Sequence, residues 1–187
     1  MIVLIIAEPR SGSTNLGNWF FHNKSFTTLF EPLDPVSNWY QNDLNPKEYQ
    51  YKTKHLCIKE VYYPQKDFTD LINISDKIIV LYRENHTEQT ESFLNSVITN
   101  NWDKQYVYKP VNNKLMIEKS EYFKLLKNEF KEKFINNKYF SISYENLYYE
   151  NGIQKLIEYL NMDEINNSKW PVGEKYRVYA SDTKKII

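Results

Sequence analysis

Apolar and polar positions along the chain alternate between two regimes. "IVLIIA" (2–7) is an unbroken apolar run, as expected of a strand buried on both faces, and "NLGNWFFHN" (15–23) then places Leu16, Trp19 and Phe20 at helical spacing. "FTTLF" (26–30) reads as a second strand, stopped by the two prolines of "EPLDP". "HLCIKEV" (55–61) and "KIIVLYR" (77–83) read as the third and fourth strands, followed by a helix over 87–100 with Phe93 and Val97 on one face. A longer helix over 114–136 carries Phe123, Leu126, Phe130 and Phe134 at spacings of three and four, a core-facing stripe. "YFSISYENL" (139–147) reads as the fifth strand and "GIQKLIEYL" (152–160) as a closing helix. Strands alternating with helices predict an α/β fold, a three-layer domain whose mostly parallel central sheet of about five strands is flanked by helices. In such sheets ligands sit beyond the carboxyl ends of the strands. Functional residues are therefore expected at 8–14, 31–34, 59–60 and 83–92.

Composition sharpens this picture in a few respects. The 187 residues predict a single domain over 1–187, with a core over 1–160 and a tail over 161–187. Sixteen Tyr and ten Phe supply core volume despite abundant Asn and Lys. A lone cysteine, Cys57, excludes an intrachain disulfide. The 24 basic and 24 acidic residues cancel, so no broad basic surface points to nucleic acid, and anion binding has to come from a local cluster. The longest N-terminal apolar run is six residues, against about 20 needed to span a bilayer. With no basic region preceding it, a soluble cytoplasmic protein without a targeting segment is expected.

The local cluster follows the first strand. In "EPRSGSTN" (8–15), Gly12 lets the backbone approach a ligand, and Ser11, Ser13 and Thr14 add hydroxyls, with Asn15 one step into the helix. Ser13 or Thr14 is expected to cap that helix. A strand running through such a loop into a helix N-terminus presents unpaired N–H groups and the positive end of the helix dipole to an anion. The Walker A pattern needs a second Gly and a Lys, and neither is present. The fourth strand ends in Arg83 instead of a Walker B Asp. Kinase chemistry of the Walker type is thereby disfavoured. A sulfuryl group, which carries less charge, is within reach of hydrogen bonds and cationic side chains.

"PRSGST" after a first strand resembles the 5′-phosphosulfate loop of sulfotransferases that use 3′-phosphoadenosine 5′-phosphosulfate (PAPS). "IIVLYRENHTEQTESFL" resembles that family's second signature, an Arg at a strand end and a Ser on the next helix that grip the 3′-phosphate, here Arg83 and Ser92. The commoner spacing would place the Ser at Glu91. A spacing of nine with Gln89 three residues earlier resembles the bacterial trehalose-type branch, and Thr90 is the other candidate hydroxyl. "SISYENL" resembles a later strand end whose Tyr, here Tyr144, approaches the nucleotide. The resemblance spans about residues 2–160 and implies a P-loop-like domain, PAPS as donor with PAP as product, no metal requirement, and a glycan, tyrosine or small-molecule hydroxyl as acceptor.

It also implies roles. Glu31 in "LFEPLDP" matches the general base of the protein-tyrosine and carbohydrate branches, with Asp34 the next carboxylate. Arg10 matches the loop cation that stabilises the leaving group. Lys59 resembles a second cation of the tyrosine-modifying branch, against the plainer reading of a strand lysine facing water with Glu60 as its salt-bridge partner. His22, His55 and His86 are the rival bases of the small-molecule branch, and none falls where that branch places its own. The tail residues Lys169, Trp170, Gly173, Lys175 and Arg177 either cover the donor site or pack on the surface. Aromatic segments at 36–51 and 101–110 shape either an acceptor site or a homodimer surface. An atypical nucleotide kinase on a related fold and a non-catalytic PAP-binding module remain the alternatives.

Overall fold

A computed structural model describes residues 1–23, 25–34, 54–99, 113–136, 138–162 and 165. Five strands, β1 (Ile2–Ala7), β2 (Phe26–Phe30), β3 (His55–Val61), β4 (Lys77–Tyr82) and β5 (Phe140–Ser143), form one sheet in the order β2-β3-β1-β4-β5. All four strand pairings are parallel. Six helices accompany them among the described residues: α1 (Ser13–His22), α2 (Thr69–Ile74), α3 (His86–Thr99), α4 (Asn113–Phe134), α5 (Tyr144–Tyr149) and α6 (Gly152–Leu160).

β1 is central and apolar throughout because both of its faces are covered. Val3, Ile5 and Ala7 point to one side, where Leu16, Trp19 and Phe20 of α1 meet Leu156 and Leu160 of α6. Leu4 and Ile6 point to the other, against Tyr62, Phe68 and the Leu126, Phe130 and Phe134 stripe of α4. The period of two along the strand thus divides one apolar run between two cores. Met162 and Ile165, from the segment expected to be tail, are buried in the first of these cores.

Two departures from the sequence reading have local causes. The fifth strand ends at Ser143 instead of running on to 147, because the Ser143 hydroxyl accepts from Asn146 N–H at 3.2 Å and starts a helix at Tyr144. Helix α2 has no counterpart in the sequence reading. The Asp67 carboxylate accepts from Thr69 N–H at 2.9 Å at its start, and only Leu71 of its six residues is buried. No helix among the described residues is long and apolar enough to cross a membrane.

The connections position the site. From β1 the chain runs through α1 to β2 on one side of the sheet, whereas from β4 it leaves through α3 and α4 to β5 on the other. The loops after β1 and β4 therefore diverge and leave a crevice at the carboxyl ends of two adjacent strands.

Candidate active site

The loop after β1 carries the first half of the site. Gly12 is the N-cap of α1 with φ 79°, and no side chain caps the helix, so neither Ser13 nor Thr14 plays the capping role expected of it. The first turn holds no acidic residue. The helix N-terminus thus keeps its positive end available to an anion. Ser11 is fully buried and donates its hydroxyl to Glu8 O at 2.7 Å, while Ser13 is buried and Thr14 partly so. Asn15 N–H returns to Gly12 O at 3.1 Å.

Gly12 is required by its surroundings. A Cβ there would lie 2.7 Å from two ring atoms of Tyr144, and Tyr148 Oη donates to Gly12 O at 2.9 Å. Replacing Gly12 by Ala is expected to cost about 1–2 kcal/mol from the left-handed backbone alone, before the ring has to move. A thermal melt should show the loss as a fall of several degrees in Tm.

Arg83, just past β4, lies across the crevice from this loop. Its Nη1 donates to Arg10 O at 3.4 Å, its guanidinium stacks 4.7 Å from the Tyr144 ring centre, and Nη2 donates to Glu88 Oε2 at 2.5 Å. Glu145 Oε1 stands 3.8 Å from Nε. Ser92, on α3, is buried and accepts from Arg10 Nε at 3.0 Å. Thr90 instead donates to His86 O at 2.9 Å, within its own helix. Of the two candidate hydroxyls, Ser92 is the one joined to the loop.

Behind these groups lies Glu8, fully buried, to which the sequence reading assigned no role. Its Oε2 accepts from Arg83 N–H at 3.0 Å and from Gln89 Nε2 at 3.3 Å, and Gln89 Nε2 also donates to Pro9 O at 2.7 Å. One carboxylate therefore ties the loop after β1 to the start of β4's exit. Burial pushes the Glu8 carboxyl above its usual 4.5, although Arg83 N–H, Lys127 and Gln89 oppose the shift. Between the unfolded and the raised folded value the native state holds the extra proton, so stability falls as pH rises through that window and levels off above it. Glu8→Gln is expected to flatten this slope, and Tm measured across acidic to neutral pH checks it.

The second half of the site hangs on β2 and β3. Phe30 pairs with Lys59 in the parallel register, and Glu31 N–H donates to Lys59 O at 2.6 Å, which fixes the residue just past β2. Lys59 is 2% exposed on an interior strand and pairs with the Glu31 carboxylate. It is neither a lysine facing water nor the partner of Glu60. Glu60 points to the opposite face, accepts from Leu33 N–H and pairs with Lys66 at 2.9 Å, anchoring the turn that carries Glu31. Tyr63 borders the same turn. Burial, aided by the charge of Glu31, pushes its phenol up to about 12.

Arg10 and Glu31 both adopt left-handed backbone, φ 61° and φ 52°, and Asn161 is the one other non-glycine residue that does so among the described residues. Such conformations cost non-glycine residues about 1–3 kcal/mol and concentrate at functional sites. The structure thus collects Arg10, Ser11, Gly12, Ser13, Thr14, Asn15, Glu31, Lys59, Arg83 and Ser92 along the carboxyl edge of the sheet, with Tyr144 stacked over the loop. His55 lies at the opposite end of β3, His22 ends α1, and His86 bonds Ser120 O at 3.0 Å. The aromatic segments 36–51 and 101–110 and the basic tail residues 169–177 lie outside the described residues. Among the described residues, no group of three or more His, Cys, Asp or Glu could hold a metal ion.

No protein-family model matches the chain, and no curated protein matches its sequence. The fold does have solved counterparts. The structure of mouse sulfotransferase SULT7A1 complexed with PAP superposes with a TM-score of 0.57 at 14% identity, over 98% of this chain and 61% of that one. The chain shares that enzyme's fold and spans about three-fifths of its length.

Proposed function

We propose that the chain is a sulfotransferase that moves a sulfuryl group from PAPS to a hydroxyl of a glycan, a tyrosine or a small molecule, with PAP as the other product. The observation that carries this reading is the placement of two pairs, Arg10 with Arg83 and Glu31 with Lys59, at the carboxyl edge of one parallel sheet, where α1 begins without a side-chain cap. The shared fold with a PAP-bound sulfotransferase supports it.

The residues present suit an anionic nucleotide. The crevice has an uncapped dipole end for a 5′-phosphosulfate and a nine-tenths-buried guanidinium, Arg83, whose Nε lacks a hydrogen-bond partner. PAPS supplies the activated sulfuryl group. Arg10 and the first N–H groups of α1 hold negative charge on the 5′ side, while Arg83, Ser92 and Tyr144 form the 3′ side. Glu31 takes the proton of the acceptor hydroxyl as the new O–S bond forms and the bond to the leaving phosphate breaks. Lys59 neutralises Glu31 in a site largely closed to water, and its ammonium with Arg10 offsets the negative charge that develops on the leaving phosphate oxygen.

Transfer of ³⁵S from labelled PAPS to a panel of glycans, phenols and small alcohols tests the reading. Labelled product formed without ATP is the expected result. Phosphoryl transfer from ATP and Mg²⁺ to the same panel, with none from PAPS, would establish the kinase alternative instead.

A further inference from the structure

The guanidinium assigned to the nucleotide's 3′-phosphate already holds a carboxylate. Arg83 Nη2 donates to Glu88 Oε2 at 2.5 Å, and Glu145 stands 3.8 Å from Nε. These two acids differ in how they are held. Glu145 is pinned by the N–H groups of Glu84 and Asn85, at 3.0 and 3.1 Å. Glu88 lies on the first turn of α3 with its side chain 60% exposed; its backbone N–H donates to Asn85 Oδ1 at 3.1 Å, and its carboxylate reaches Arg83 from the solvent side.

Arg83 itself has little freedom. Its side chain is 10% exposed, stacks on Tyr144 and reaches back to Arg10 O. A buried cation without a counter-charge is costly. Glu145 faces Nε but is held by backbone N–H groups, so Glu88 is the anion on Nη2 that can leave by rotating into solvent.

We propose that Glu88 is an internal competitor for the 3′-phosphate: it covers Arg83 while the site is empty and is displaced when a 3′-phosphorylated nucleotide arrives. The inference rests on the sulfotransferase reading of the site. A phosphomonoester carries more charge than a carboxylate and matches the guanidinium fork, so it displaces Glu88. A ribose 3′-hydroxyl carries no charge and leaves the ion pair in place. PAPS and PAP carry the same 3′-phosphate, so the competition weakens the hold on both and shortens the stay of the spent donor after transfer.

Calorimetric titration of the full chain with PAP and with 5′-AMP, which lacks the 3′-phosphate, tests this. For Glu88→Gln the PAP Kd is expected to fall about 3- to 10-fold, the scale of a partly exposed ion pair plus relief of like-charge repulsion. The 5′-AMP Kd should stay within about twofold. Glu88→Ala, which removes any residual hydrogen bond to Arg83, should act in the same direction. PAP affinity unchanged or weakened in both variants, with wild type still preferring PAP, overturns the competitor and leaves the donor reading intact. An equal gain for both ligands also overturns it, as a general charge effect. Wild type that does not distinguish PAP from 5′-AMP overturns both the competitor and the donor reading.

Discussion

Glu31→Gln is expected to lower kcat for sulfuryl transfer by about 10²–10⁴-fold, the usual contribution of a general base, while PAP affinity changes little. The substitution keeps the shape of the side chain but removes its capacity to take a proton. Backbone contacts at the site survive, because Glu31 N–H still reaches Lys59 O and Asp34 N–H still reaches Glu31 O at 3.0 Å. Glu60 and Lys66 continue to anchor the turn through Leu33 N–H. What is lost is the carboxylate that faces Lys59. Initial rates with ³⁵S-PAPS and a titration with PAP on the same preparation separate the two effects. A parallel loss of rate and PAP affinity would make Glu31 a binding residue, and an unchanged rate would place the base elsewhere.

Arg83→Ala is expected to weaken PAP binding by about 1.5–3 kcal/mol, the range of a hydrogen bond to a charged group, or roughly 10- to 150-fold in Kd. The tie between Arg83 N–H and Glu8 belongs to the backbone and survives the substitution, so the crevice keeps its frame. The lost guanidinium leaves Glu145, held in place by the Glu84 and Asn85 N–H groups, facing that position without a cation, which adds repulsion against an incoming phosphate. Arg83→Lys should recover part of the affinity, since it restores the charge but not the planar fork. Calorimetric titration of the three proteins with PAP measures both expectations.

The layers of the fold were legible because β1 is buried on both faces and the stripe of α4 repeats at helical spacing. The positions of Arg10, Glu31, Lys59 and Arg83 followed from one rule, that ligands gather past the carboxyl ends of parallel strands. Partners across the sheet were not legible. Glu8 meets Arg83 and Gln89 at sequence separations of 75 and 81 residues, and nothing in "AEPR" signals either contact. Lys59 and Glu31 meet because Phe30 and Lys59 are in register, which requires knowing that β2 pairs with β3 in parallel. Tyr144 read as strand because "SIS" leads into it, and the capping hydroxyl of Ser143 overrides that preference. Helix α2 is six residues long, too short for a helical period to show.

The proposed sulfotransferase reading requires this crevice to take a 3′-phosphorylated, 5′-anionic adenine nucleotide. Calorimetric titration of the full chain with PAP, against ATP with Mg²⁺, tests it most directly. Saturable binding of PAP that Arg83→Ala weakens by at least tenfold is the expected result, consistent with the loss of a charge-assisted contact. Saturable heat from ATP with Mg²⁺ and none from PAP would contradict it.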